Sequence, residues 1–104
     1  MYHAHVYFGL LQKSKATELK KKIEQQRSDI ITQFPLVERL VGPHLMPMFE
    51  IHFKDNSQNF IEWLDENRNG MDVLIHPVGG DDLMDHTEHA IWLGRELGID
   101  EAGL

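Results

Sequence analysis

Two stretches of the chain alternate between apolar and mostly polar positions. In Tyr2–Phe8 the residues Ala4, Val6 and Phe8 alternate with His3, His5 and Tyr7. In Met48–Phe53 the residues Phe49, Ile51 and Phe53 alternate with Met48, Glu50 and His52. A period of two is that of a strand with one face buried. A third run, Met71–His76, is apolar except for Asp72 and His76 and stops at Pro77, and Leu36–Val41 reads as a fourth strand that carries Glu38 and Arg39. Between the strands the period changes. Leu19, Ile23, Ile30 and Phe34 recur among Lys, Glu, Gln and Arg at helical spacing, which predicts a helix running to Pro35, where the residue before proline is pushed out of the helical region. Phe60, Trp63, Leu64 and Asn67 predict a second helix, capped from Asp55-Asn56-Ser57 and ended by Asn69-Gly70. Leu83, His86, Ala90, Leu93 and Leu97 predict a last helix, capped by Asp81, Asp82 or Asp85 and ending at Gly98, with His86 on its apolar side.

The order β-α-β-β-α-β plus a C-terminal helix predicts an α+β fold, the ferredoxin-like two-layer sandwich, as a single domain over residues 1–104. In that topology the first and third strands are adjacent at the sheet centre and the fourth flanks the first. Both long helices then cover the apolar face. The opposite face carries His3, His5, Glu50, His52 and His76 together with Tyr7, Met48 and Leu74. Such a face invites a second copy of the chain, so a homodimer is expected.

Composition narrows the function classes. The net charge of −7 argues against nucleic acid as a partner. The charge is uneven: Lys13, Lys15, Lys20, Lys21, Lys22 and Arg27 cluster in the first helical segment, which reads as its solvated face. Zero cysteines exclude disulfides, thiolate metal sites and a cysteine nucleophile, and fit a reducing compartment. No apolar run is long enough to span a bilayer. No basic segment followed by an apolar stretch opens the chain, so a membrane partner is not expected and the expected location is the cytoplasm.

The seven histidines carry the candidate chemistry. Neutral imidazole binds zinc, iron, copper and nickel. His5, His52 and His76 would stand on three neighbouring strands, with Glu50 as a carboxylate substitute, and these are the expected metal ligands. Three such groups on one side of a metal leave the other positions open, the arrangement of non-haem Fe(II) oxygenases, and those positions can hold a catechol and dioxygen together. Zinc or another divalent ion suits the same donors. His3 lies about 6.5 Å along the strand from His5 and is expected to line the pocket rather than share the metal. His44, in the Gly42-Pro43-His44 turn, can swing over the site as the base, with His3 and His86 as further candidates. His89 reads as a solvated residue, and Tyr7 and Trp92 as packing groups.

At these residues the chain resembles the DOPA 4,5-dioxygenase-like family, the fungal type and its bacterial relatives. The matching blocks are Tyr2–Phe8, Gly42-Pro43-His44, Phe49–Phe53, Trp63-Leu64, Val73–Pro77, Asp85-His86-Thr87 and Ala90–Gly94. The blocks are ordered along nearly the whole chain. Leu45 and Gly79 depart from the family pattern, which has a proline and a threonine there. The resemblance implies a small ferredoxin-like protein forming homodimers of the dimeric α+β barrel kind. It also implies extradiol cleavage of a DOPA-like catechol by O2 at a non-haem Fe(II). Two other classes use the same pocket: a cofactor-independent dimeric α+β barrel oxygenase or isomerase with a histidine base, and a non-enzymatic metal- or ligand-binding module.

Overall fold

A computed structural model describes all 104 residues. Strand β1 (Tyr2–Tyr7) runs into a short 3-10 turn and helix α1 (Lys13–Gln26), followed by β2 (Ile30–Gln33) and β3 (Met48–Phe53). Helix α2 (Phe60–Asn67) leads to β4 (Val73–Pro77), the short helix α3 (Asp82–His86) and β5 (Ile91–Leu93). The five strands form one sheet in the order β2-β3-β1-β4-β5, with every pair antiparallel. The ferredoxin-like order is therefore present, extended by one strand at the β4 edge. No helix is long and apolar enough to cross a membrane.

The period-two pattern decides the layers. Ala4, Val6 and Phe8, then Phe49, Ile51 and Phe53, then Val73 and Ile75 are buried in the main core. Ala16, Leu19 and Ile23 of α1 and Phe60 and Leu64 of α2 cover them. Asn56 Oδ1 accepts the Ile61 N–H at 2.8 Å at the start of α2, and Asn69 and Gly70, both at positive φ, end its segment.

Three expected elements differ. Helix α1 stops at Gln26, because Arg27 turns extended and pairs with Asp29 at 2.9 Å across a tight turn. Ile30, Ile31 and Thr32, three β-branched residues in a row, then become the edge strand β2, where stiff side chains suit the pleat better than a helix. Leu36–Val41 is consequently not a strand, and only Val37 makes a bridge, to Met48. The expected last helix lasts five residues, capped by Asp81, whose side chain accepts the Met84 N–H. Ile91-Trp92-Leu93 instead pairs with β4, whose outer edge would otherwise leave its backbone groups unpaired. Buried Asp72 fixes this return by accepting the Arg95 N–H at 2.7 Å and its guanidinium at 3.0 Å. Gly94, at φ +81°, admits the approach, since a Cβ there would lie 2.5 Å from Asp72 Oδ1.

The second sheet face is partly covered by the chain itself. Tyr7, Met48 and Leu74 form a small second core under Val41, Met46, Ala90, Trp92, Leu97 and Ile99. The remainder of that face holds the histidines.

Candidate active site

The register of three strands assembles the site in rows. His3 is the cross-strand partner of both His52 and His76, so these three lie in one row over β3, β1 and β4. The next row is Glu50, His5 and Leu74. Tyr7 and Met48 follow, where the second core begins. The period-two parity thus places all these side chains on one face.

Within the rows the donors converge in two sets. Ligand atoms of His3, His5 and His76 lie within 4.8 Å of one another, and so do those of His3, Glu50 and His52. His3 belongs to both, while His52 is separated from His76 by the whole of β1. Of the expected ligands the structure therefore brings His5 and His76 together, with His3 as the third donor. It places His52 and Glu50 in the adjoining set, where His52 Nε2 lies 2.6 Å from Glu50 Oε2. A straight strand separates His3 and His5 along its axis, but the His76 ring on β4 stands 5.3 Å from the His3 ring and 5.1 Å from the His5 ring.

Hydrogen bonds decide which nitrogens are free. His76 Nδ1 lies 2.8 Å from the Pro77 carbonyl, which can only accept. Neutral His76 thus keeps its lone pair on Nε2, and that atom stands 3.0 Å from His5 Nε2. His5 Nδ1 is buried with no hydrogen-bond partner; Glu50 Oε1 is 3.5 Å away but not in hydrogen-bonding geometry. A proton on His5 Nε2 would leave a lone pair facing that carboxylate. A proton on Nδ1 would turn two lone pairs toward each other at 3.0 Å. Both cost free energy in a buried site. A divalent cation on the two Nε2 atoms removes the conflict, and two nitrogens each about 2.1 Å from one ion at a right angle are about 3.0 Å apart. The residues present therefore fit a metal.

Burial keeps these imidazoles neutral. It lowers His3 to about 4, aided by the charge of His52, and lowers His44 to about 4, aided by His86. Burial also holds His5 well below 6.5 with help from His44, and lowers His76 against the opposing bond to Pro77.

His44 reaches the site from the segment before β3. It is buried, with its ring 4.0 Å from that of His5 and its Nδ1 2.6 Å from the Tyr7 hydroxyl. Tyr7 is thus a site contact as well as a packing group, stacked on Trp92 at 6.0 Å. Its parity with His3 and His5 was the available signal. His86 caps the other flank, 3.9 Å from the His76 ring, with its Nδ1 2.7 Å from the Asp82 carbonyl, so its Nε2 is unprotonated when neutral. It faces the histidines rather than an apolar core. Buried Asp85 sets this flank by accepting the Gly79 N–H at 2.8 Å, a role no sequence pattern announces. Phe34 stands edge-on to His52 at 5.0 Å and is exposed, which marks the open side of the cluster. His89 is solvated and 3.9 Å from Asp85. The surface cavities of the chain lie elsewhere, lined by Lys15 and Asn67, by Asp29 and Lys54, and around Leu36 and Gly9.

Known proteins resemble this chain in sequence and fold. The model of the Dopa 4,5-dioxygenase family matches residues 2–102. An uncharacterized 21.2 kDa protein of Botryotinia fuckeliana is 32% identical over 95% of the chain, and a DOPA 4,5-dioxygenase of Amanita muscaria is 25% identical over 99%. The chain spans 60% and 49% of the lengths of these two relatives. A crystal structure from Nostoc punctiforme, of a protein proposed to be a dioxygenase, superposes with a TM-score of 0.86 at 29% identity, over 95% of this chain and 85% of that one. With the match running through every strand and every clustered histidine, the chain belongs to the Dopa 4,5-dioxygenase family.

Proposed function

We propose that the protein is an extradiol dioxygenase that opens a DOPA-like catechol with O2 at a non-haem Fe(II). The observation that carries this reading is the convergence of three neutral imidazoles, His3, His5 and His76, two of them meeting through Nε2 atoms at 3.0 Å. His52 and Glu50 are the alternative donors through the set they share with His3. Fe(II), when bound, supplies a Lewis acid and a path for electrons between the aromatic ring and oxygen. Both atoms of O2 enter the ring-opened product, so no external reductant is consumed.

The protein's own part is to bind, orient and move a proton. A catechol must lose a phenolic proton, and His44, its ring 4.0 Å from that of His5, is the proposed acceptor. For Nε2 to accept, His44 carries its proton on Nδ1 and donates to the Tyr7 oxygen, which the 2.6 Å contact allows. His86, with Nε2 unprotonated, is the second base. Phe34, Glu50 and His52 edge the open side of the cluster. We place the activity in a homodimer whose second copy closes over this open side, and in the cytoplasm.

Anaerobic reconstitution with Fe(II), followed by a panel of catechols in air, tests the reading. A yellow ring-opened product at about one iron per chain is expected. Tightly held zinc with no ring opening after iron loading would point to a binding module. Turnover by metal-free protein would point to a cofactorless oxygenase.

A further inference from the structure

The segment between β2 and β3 carries His44 yet has little structure of its own. Its backbone meets the sheet through Phe34 on Glu50 and the Val37–Met48 bridge, well before the histidine, and through the Pro47 carbonyl, which accepts the Phe8 N–H after it. The His44 N–H closes a turn on the Val41 carbonyl at 3.1 Å, with Gly42 at φ +55°. The outer side of this turn is backed from the other end of the chain. The carbonyl of buried Pro43 accepts the Asp100 N–H at 2.7 Å. Asp100 then caps a single 3-10 turn, Glu101–Gly103, its side chain accepting the Ala102 N–H at 3.1 Å. That turn lays Gly103 directly on Gly42. A Cβ at Gly103 would stand 2.7 Å from the Gly42 carbonyl carbon and 3.0 Å from the Pro43 nitrogen, and inside contact with the Gly42 oxygen. These are backbone atoms that cannot step aside as a flexible side chain can. Beneath, Val41 and Met46 from one segment and Leu97 and Ile99 from the other pack on the same small core of Tyr7, Met48 and Leu74.

We propose that the Asp100–Gly103 turn is a positioning element for His44. The bare backbone of Gly103 and the N–H of Asp100 seat the Gly42–His44 turn so that the imidazole stays on His5 and Tyr7. The consequence for turnover rests on reading His44 as the base; the seating itself does not. Gly103→Ala forces the two backbones apart. Asp100→Pro deletes the N–H given to Pro43. Asp100→Asn retains both that N–H and an acceptor for Ala102 and serves as the conservative control.

Carbethoxylation by diethyl pyrocarbonate, mapped by peptide mass spectrometry, reads His44 directly, with exposed His89 as the internal reference. His44 should react slowly in the native protein, because it is buried. Gly103→Ala and Asp100→Pro should each raise its rate relative to His89 by about tenfold or more, through a larger open population of that segment alone. Asp100→Asn should match the native rate. Amide exchange at Ala4 and Val6 in β1 should not change. In the iron-loaded protein, kcat for a catechol should fall in the same two variants while KM and iron content hold. Unchanged protection of His44 in both variants overturns the proposal, and so does a parallel rise of exchange in β1, which would mean general loosening. Selective exposure of His44 with unchanged kcat overturns its part in the reaction. If native protein opens no catechol at all, the functional reading fails while the labelling result still decides the seating.

Discussion

At the scale of single residues the chemistry depends on which nitrogen of each ring is free. His76 is committed by the Pro77 carbonyl and His86 by the Asp82 carbonyl, each at Nδ1. His3, His5 and His76 are expected to hold the metal together, so a change of any one to Ala should remove most of it, since two imidazoles make a weak site. His89→Ala should leave metal content unchanged. Elemental analysis of the purified variants measures both, and loss at His89 with retention at His5 would refute the face assignment. His44→Ala should keep iron yet lower ring-opening turnover by about 10² to 10⁴, the usual worth of a placed proton acceptor. Protonation gives a further test in the metal-free protein. His3 and His44 sit at about 4 in the folded chain against 6.5 unfolded, mainly through burial. Below pH 6.5 the unfolded chain takes up protons that the folded one does not. Stability contributed by these groups is therefore full above 6.5 and declines as pH falls toward 4. Urea midpoints at pH 7.5 and pH 5 should show the drop, and His44→Gln should reduce it; a flat profile would mean the imidazoles are not held neutral by burial.

At the scale of elements the added strand β5 is the feature most dependent on one residue. Asp72 is buried and accepts both the backbone and the guanidinium of Arg95. Asp72→Ala removes these bonds and leaves the Arg95 N–H without its acceptor, at a cost of about 1–3 kcal/mol. Thermal unfolding should register that loss, with the earliest hydrogen exchange at Ile91–Leu93. An unshifted midpoint would show that strand pairing alone holds β5. By contrast Ile51→Ala, in the main core, should cost about 2–5 kcal/mol through lost burial and the cavity left behind.

At the scale of the whole molecule the histidine face is closed on one side only. The chain's own 41–46 and 90–99 segments cover the Tyr7, Met48 and Leu74 end. Phe34 is 41% exposed beside half-buried His52 on the other. Light scattering should give twice the 12.1 kDa chain mass at micromolar concentration, and Phe34→Glu should shift it toward one chain. A native monomer would leave the cluster open to solvent and remove the dimer from the proposed function.

The alternation in Tyr2–Phe8 and Met48–Phe53 was sufficient to name the core face, the site face and the histidines on it. Burial of one strand face is a local rule that repeats every second residue. Leu19 and Ile23, and Phe60 and Leu64, likewise declared their helices. Where periodicity was ambiguous, tertiary pairing decided. Ile30–Thr32 and Ile91–Leu93 fit a helical stripe on paper, but two sheet edges with unpaired backbone groups claimed them as strands. The candidate ligand set was of the same kind. Sequence spacing separates His3 from His5, and only the register of β4 shows that His76 reaches both. The seat of His44 lay furthest from sequence reading, because Gly42 and Gly103 meet across sixty-one positions and a glycine carries no side chain to announce a contact. Sequence alone thus determined which faces are buried and which face gathers the histidines, since both follow from local period and residue type. Which nitrogens converge, and what holds them, was decided by long-range register and backbone approach, which no local pattern encodes.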